Sequence, residues 1–252
     1  MAYMVLFIFF LAGAAFGSFA NVLALRYRDG KSALRGRSAC PACGCVLSLW
    51  EAAPLVGFLV LRGKCRHCAV RLPWRYPATE VAGGLLFAGV AWRFPAVDAL
   101  FLCFLAFILL AIALADADTQ EIPDGWVLAG IVAGVAWVAL GHAFPVAVSH
   151  APSWEAAGLG ILAGALPLLL LDGVTRLVIK KPAFGLGDVK LMAMAGIWLG
   201  WAPMGRVFFF AFVGGGAWAV VLLLRGRAVR GDYLAFGPFL CAGIGLALIW
   251  AA

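Results

Sequence analysis

Four acids fall within nine residues, Asp116, Asp118, Glu121 and Asp124, directly after an apolar run from Ala99 to Leu114 that carries no charge. Far downstream, Phe184-Gly-Leu-Gly-Asp-Val-Lys190 sets Asp188 at the opening of another apolar run. Two carboxylates at the ends of separate membrane segments suit hydrolysis of a peptide bond at a bilayer. One, ionised, takes a proton from an attacking water; the other, protonated, donates to the carbonyl oxygen. Gly185 and Gly187 beside Asp188 let backbone or substrate come close. Ile122-Pro123 ends one helix and begins the next, which holds the acid-bearing loop in place. Asp118, Glu121 and Asp124 have a plainer reading as loop solubilisers and partners of a helix dipole.

A second constellation is built from thiols. Cys40-Pro-Ala-Cys43 and Cys65-Arg-His-Cys68 are separated by 21 residues. Two Cys-x-x-Cys turns at that separation predict a zinc ribbon, with four thiolates at about 2.3 Å from one ion. So short a segment has little core of its own, and metal binding would supply much of its folding energy. Cys45 and His67 lie next to the ligands as bystanders. Cys103 and Cys241 sit inside apolar runs, where a thiol packs as a small hydrophobe.

The elements that must position these groups are membrane helices. Of the 252 residues 65% are hydrophobic and 12% charged, and the mean hydropathy is +1.03. A soluble domain carries about 25% charge. Eight segments approach the roughly 17–25 residues that span a bilayer: Tyr3–Leu25, Ala78–Phe94, Val97–Ala115, Gly125–Leu140, Ala156–Val178, Val189–Trp201, Gly205–Leu224 and Leu234–Trp250. The expected fold is an all-α polytopic membrane protein with a small zinc-ribbon-like cytoplasmic insertion after the first helix. Met1 to Leu25 lacks a basic n-region and reads as a retained helix, not a signal peptide.

Charge sets the orientation. The net charge is +7, yet ten of the 19 Lys and Arg lie between Arg26 and Arg75. With the N-terminus outside, the inward loops also take Arg176, Lys180, Lys181, Lys190, Arg225, Arg227 and Arg230. Only Arg93 and Arg206 are left outside, a split of 17 against 2. That is the positive-inside pattern and excludes a nucleic-acid-binding stripe. Asp116 and Asp188 then both end at the cytoplasmic face.

Other polar residues read as structural. Asp172 precedes Arg176 by four, the favourable order for a helical ion pair. Glu80 is expected in a first helical turn, where an acid complements the dipole. His142 and His150 fall in an outward loop and are expected to do no chemistry. Gly83-Gly84 and Gly214-Gly215-Gly216 suit close helix packing. Paired membrane carboxylates also occur in proton-coupled transporters, and the cysteines alone would suit a non-catalytic zinc-ribbon scaffold. The ribbon, and the lack of a clear inverted repeat, weigh against a transporter.

Taken in order, these motifs resemble the type IV prepilin peptidases of bacteria, which are Gly-x-Gly-Asp intramembrane aspartyl proteases. The resemblance rests on Gly17-Ser-Phe-Ala-Asn-Val22 with Arg26, the two cysteine pairs, and Trp74-Arg-Tyr-Pro-Ala-Thr-Glu80. It rests also on Asp116-Ala-Asp-Thr-Gln-Glu-Ile-Pro-Asp124 and Gly185-Leu-Gly-Asp188-Val-Lys190. It implies a bifunctional enzyme of the inner membrane that cuts a short basic leader from prepilins or pseudopilins. The enzyme then methylates the new N-terminal amine with S-adenosylmethionine. By motif position the catalytic pair is Asp116 and Asp188, with Asp118, Asp124, Gly185, Gly187, Lys190 and Glu80 in support. The implied organisation is a first helix over 1–25, a zinc-binding segment linked to methylation over 26–77, and a peptidase core over 78–252. The chain departs from the family at Glu51-Ala-Ala-Pro54, where an Asn commonly precedes an apolar-Pro pair.

Overall fold

In lipid every backbone N–H and C=O must be paired within the protein, and an apolar chain does this most simply as helix. The computed structural model describes residues 2–32, 38–40, 42–48, 50–178, 180, 183–226 and 234–251. Arg35, Arg37, Lys181, Arg227 and Arg230, which enter the charge asymmetry, lie outside the described residues, as does Pro41 of the first cysteine pair. Among the described residues are nine helices and no strand. They are α1 (Ala2–Arg28), α2 (Val56–Val60), α3 (Arg75–Arg93), α4 (Ala96–Thr119), α5 (Asp124–Ala143), α6 (Trp154–Val178), α7 (Leu186–Leu199), α8 (Met204–Leu224) and α9 (Gly237–Ala251). Each of the eight apolar segments read from sequence is a helix. Of these, α1, α4, α5, α6 and α8 are long and apolar enough to cross a membrane. This is a helical membrane protein.

The chain divides into two units, Met1–Phe94 and Pro95–Ala252. In the first, α1 packs along α3 because glycines let the two backbones touch. A methyl added to Gly13 would enter the Gly83 carbonyl, and one added to Gly17 the Thr79 carbonyl. Arg75 Nε donates to the buried Asn21 Oδ1 at 2.7 Å and ties the same two helices together. Helix α3, the first segment of the expected peptidase core, thus groups with α1 and the cysteine segment.

Glu80 requires a correction. Helix α3 begins at Arg75, since Pro77 is tolerated in a first turn where its missing N–H is not needed, and no acid lies in that turn. Glu80 is buried, and its Oε2 accepts the Leu55 N–H at 2.7 Å. It anchors the polar segment and is not a dipole partner.

In the second unit α7 is enclosed by α5, α6 and α9. Fourteen residues rise only about 21 Å, short of a hydrocarbon core of about 30 Å. The helix is apolar all round because it meets protein on most sides: Leu191, Met192, Met194, Ala195 and Trp198 are buried. Helices α6 and α7 cross at Gly160 and Gly196, each of which would drive a methyl into the other's carbonyl. Gly215 lies against the Phe236 ring, whereas Gly216 faces open space.

At the far end of α4 from Asp116, Asp98 is fully buried. Its carboxylate accepts the Trp137 indole N–H at 3.1 Å and the Ser149 N–H at 3.2 Å, and lies 2.9 Å from His150 Nδ1. His150 therefore fastens the loop before α6 to the buried end of α4. Sequence reading gave no hint of this cluster, whose members are up to 52 residues apart.

Candidate functional site

Asp116 lies in the last turns of α4. Thr119 Oγ1 donates to the Ala115 carbonyl at 2.9 Å, and Gln120 ends the helix in the left-handed region with φ 57°. Successive helical residues turn by about 100°, so Asp116 and Asp118 point to nearly opposite sides. Asp116 is the buried one; Asp118 is half-buried and Glu121 is exposed. Asp116 Oδ2 accepts the Gly237 N–H at 2.9 Å. That donor is one of the unpaired amides at the N-terminus of α9.

Asp188 sits in the first turn of α7. Its Oδ2 accepts the Gly185 N–H at 3.1 Å, and its own N–H donates to the Gly185 carbonyl at 3.1 Å. One carboxylate oxygen thus caps the helix. Asp116 meets the N-terminus of α9, and α7, which carries Asp188, packs on the same helix.

Three contacts draw the two motifs together. Phe236, the residue before Gly237, packs on Phe184 with ring centroids 5.4 Å apart. Gly187 lies against Ile122, whose Cβ would be 3.0 Å from a methyl added there. Lys190 Nζ pairs with Asp124 Oδ1 at 2.8 Å and joins α7 to the start of α5. Both partners of that pair are exposed, which limits its worth to about 1 kcal/mol or less. Asp172 makes the expected pair with Arg176 at 2.6 Å and also accepts the Ala183 N–H at 2.9 Å, which tethers the loop before Gly185.

Gly237 was missed in the sequence. Phe236-Gly-Pro238 opens α9, and a Pro just inside a helix start is a readable signal, but nothing local says that the glycine faces an acid 121 residues away. A methyl on Gly237 would lie 2.7 Å from Asp116 Oδ2. Gly237→Ala is therefore expected to shift the Asp116 carboxylate and to lower any activity that depends on it by about a hundredfold, the effect of a misplacement near 1 Å. Peptide cleavage by the purified variant measures this, and near-parental turnover would show that the approach does not matter.

In the first unit the cysteines form two matching knuckles. Cys40 and Cys65 donate their N–H groups to the Cys45 and Val70 carbonyls at 2.9 Å, and accept from Gly44 and Ala69 at 2.9 Å. Both acceptor turns need positive φ, 71° at Gly44 and 56° at Ala69. The Sγ atoms of Cys40, Cys43, Cys65 and Cys68 all lie within 4.8 Å of one another. Cys40 Sγ is 3.8 Å from Cys68 Sγ, and Cys43 Sγ 4.0 Å from Cys65 Sγ. Four sulfurs at 2.3 Å from one ion would be about 3.8 Å apart, so the donor set fits tetrahedral zinc. The Val70 N–H favours the Cys68 thiolate, yet desolvation and the sulfurs of Cys43, Cys65 and Cys40 push that thiol up to about 12. Four thiolates held this close would repel one another, and a bound cation would offset that repulsion. Cys45 lies outside this group.

Comparison with known proteins agrees with both units. Residues 11–94 match the model of the bacterial peptidase A24 N-terminal domain, and residues 103–220 that of the type IV leader peptidase family. A prepilin leader peptidase/N-methyltransferase of Burkholderia pseudomallei is 39% identical over 82% of this chain and 65% of its own. Proteins of the same name from Pseudomonas putida and Klebsiella pneumoniae are each 36% identical, covering 84% and 80% of this chain and 72% and 88% of theirs. The chain thus spans slightly under two thirds of the Burkholderia relative. No solved structure matches.

Proposed function

The chain belongs to the type IV leader peptidase family, and from that premise we propose that it is an aspartic endopeptidase and N-methyltransferase acting on type IV prepilins or pseudopilins. It cuts the short basic leader at the cytoplasmic face of the inner membrane and then methylates the new N-terminal amine with S-adenosylmethionine. The observation that carries the reading is the convergence of Asp116 and Asp188 on the start of α9. Gly237 and Gly185 each occupy Oδ2 of one acid, which leaves the second oxygen of each for water and peptide. Held together, the two acids act as a unit sharing one proton: one activates the water, the other protonates the carbonyl oxygen. Asp124 and Lys190, with the tether from Asp172, hold the two segments in register. Cys40, Cys43, Cys65 and Cys68 would hold zinc in a closed structural site, with no position left for a substrate water.

The test is mass spectrometry of a synthetic prepilin peptide incubated with the full chain in detergent. The leader should be lost, and the product should gain one methyl group once S-adenosylmethionine is added. Absence of leader loss would refute the peptidase reading.

Eight crossings follow if α3, α7 and α9 join the five long helices, with the N-terminus outside. Reporter fusions or cysteine labelling should then place Glu121 and Arg225 inside and Arg206 outside. An external Glu121 would put the acids on the wrong side of the membrane for a cytoplasmic leader.

A further inference from the structure

The first unit holds a cavity of about 220 Å³ that the peptidase chemistry does not use. Its wall includes Glu51, Glu80, Arg66, Tyr76, Phe58 and Leu61, drawn from α2, α3 and the cysteine segment, with α1 closing another side. Glu51 is the unusual member. Its Oε2 accepts the Ser48 hydroxyl at 2.6 Å and the Ser48 N–H at 2.8 Å. Its Oε1 is buried and has no hydrogen-bond partner. Those bonds from the Ser48 hydroxyl and N–H hold the Glu51 carboxyl below its usual range, so it is charged at neutral pH. Arg66 acts on it through space but does not bond to it, and instead lies over the Trp50 ring at 5.5 Å.

A buried carboxylate oxygen without a partner is costly unless something cationic meets it. Glu80, buried in the same wall, adds a second acid, while Arg66 offers the opposite sign and Phe58, Tyr76 and Leu61 an apolar surface. Such a site suits a small molecule with a cationic centre, a carboxylate and a flat apolar part. We infer that this cavity is the methyl-donor site, in which Glu51 Oε1 faces the sulfonium of S-adenosylmethionine. The inference rests on the methyltransferase reading above and locates it. When bound, that donor would supply its methyl group to the lone pair of the new N-terminal amine, which releases a proton to solvent. The broken C–S bond keeps its electron pair on sulfur and leaves a neutral thioether. A carboxylate that reads positive sulfur thus holds the fresh donor more tightly than the spent product.

The test uses the full chain in detergent and two probes, S-adenosylmethionine and S-adenosylhomocysteine, titrated calorimetrically. Glu51→Gln keeps the size of the side chain and an acceptor for Ser48 but removes the charge. It is expected to weaken S-adenosylmethionine binding about tenfold while leaving S-adenosylhomocysteine within about twofold, the scale of one charged contact. Zinc content serves as the folding control. An equal loss for both probes, or none for either, overturns the assignment. Should the variant lose its zinc, ultraviolet crosslinking of methyl-labelled donor to the parental protein decides instead. Label within residues 47–61 supports the site, and label confined elsewhere overturns it. A parental protein that neither binds the donor nor methylates would remove the methyltransferase reading itself. One that methylates but is labelled elsewhere removes only this inference.

Discussion

Asp116→Asn and Asp188→Asn are each expected to lower prepilin cleavage about a thousandfold or more, the upper part of the range for losing a positioned acid or base. The two proton roles are distinct at any instant, and neither remaining carboxylate can fill both. An amide at either position keeps an oxygen able to accept the Gly237 or Gly185 N–H, so the fold should survive and the loss should appear in turnover. Asp118→Asn is expected to stay within about tenfold of the parent, because Asp118 points away from Asp116 on α4. Initial rates on a prepilin peptide, with zinc content and detergent-solution monodispersity as controls, measure all three. An inactive Asp118→Asn beside an active Asp116→Asn would show that the pair has been assigned to the wrong acid.

What the sequence discloses about this site is unequal, for physical reasons. The helices are readable because a lipid-exposed chain has few alternatives, and their apolar runs are long. The cysteine ligands are readable because metal geometry imposes a local spacing. Burial is not readable. Asp116 and Asp118 look alike in the chain, and only their opposite directions on α4 separate them. Glu80 was misplaced by a reading that started α3 after Pro77, although proline fits a first turn. The span expected for α7, Val189–Trp201, lies too far along the chain: the helix starts at Leu186, and Gly200 ends it with φ 71° before Trp201. Gly237, Asp98 and His150 gain their roles only from residues far away in the chain, and no periodicity reports such contacts. At Glu51-Ala-Ala-Pro54 the sequence shows only a missing Asn before the Ala53-Pro54 pair, whereas in the structure the preceding acid, Glu51, lines a cavity.

Removal of zinc should have the second large effect, and it separates the two activities. Among its described residues, the segment between α1 and α3 has one short helix and two isolated bridges, Ala39 with Val46 and Lys64 with Arg71. Its four sulfurs, drawn from two knuckles, lie within 4.8 Å of one another. Structural zinc binding can supply about 10–16 kcal/mol, far more than so few contacts give. One zinc per chain is expected to copurify, and a strong chelator should open residues 38–72 to proteases while α4 to α9 stay protected. Cys40→Ser or Cys65→Ser should then abolish methyl transfer, since Cys40 and Cys65 also line the cavity beside Glu51. Leader cleavage should fall far less, because Asp116 and Asp188 lie in the other unit. Mass spectrometry of one peptide scores both reactions for each variant. If metal-free protein methylates as well as the parent does, the cysteines neither hold the cavity in shape nor serve the second reaction, and their role is confined to the scaffold.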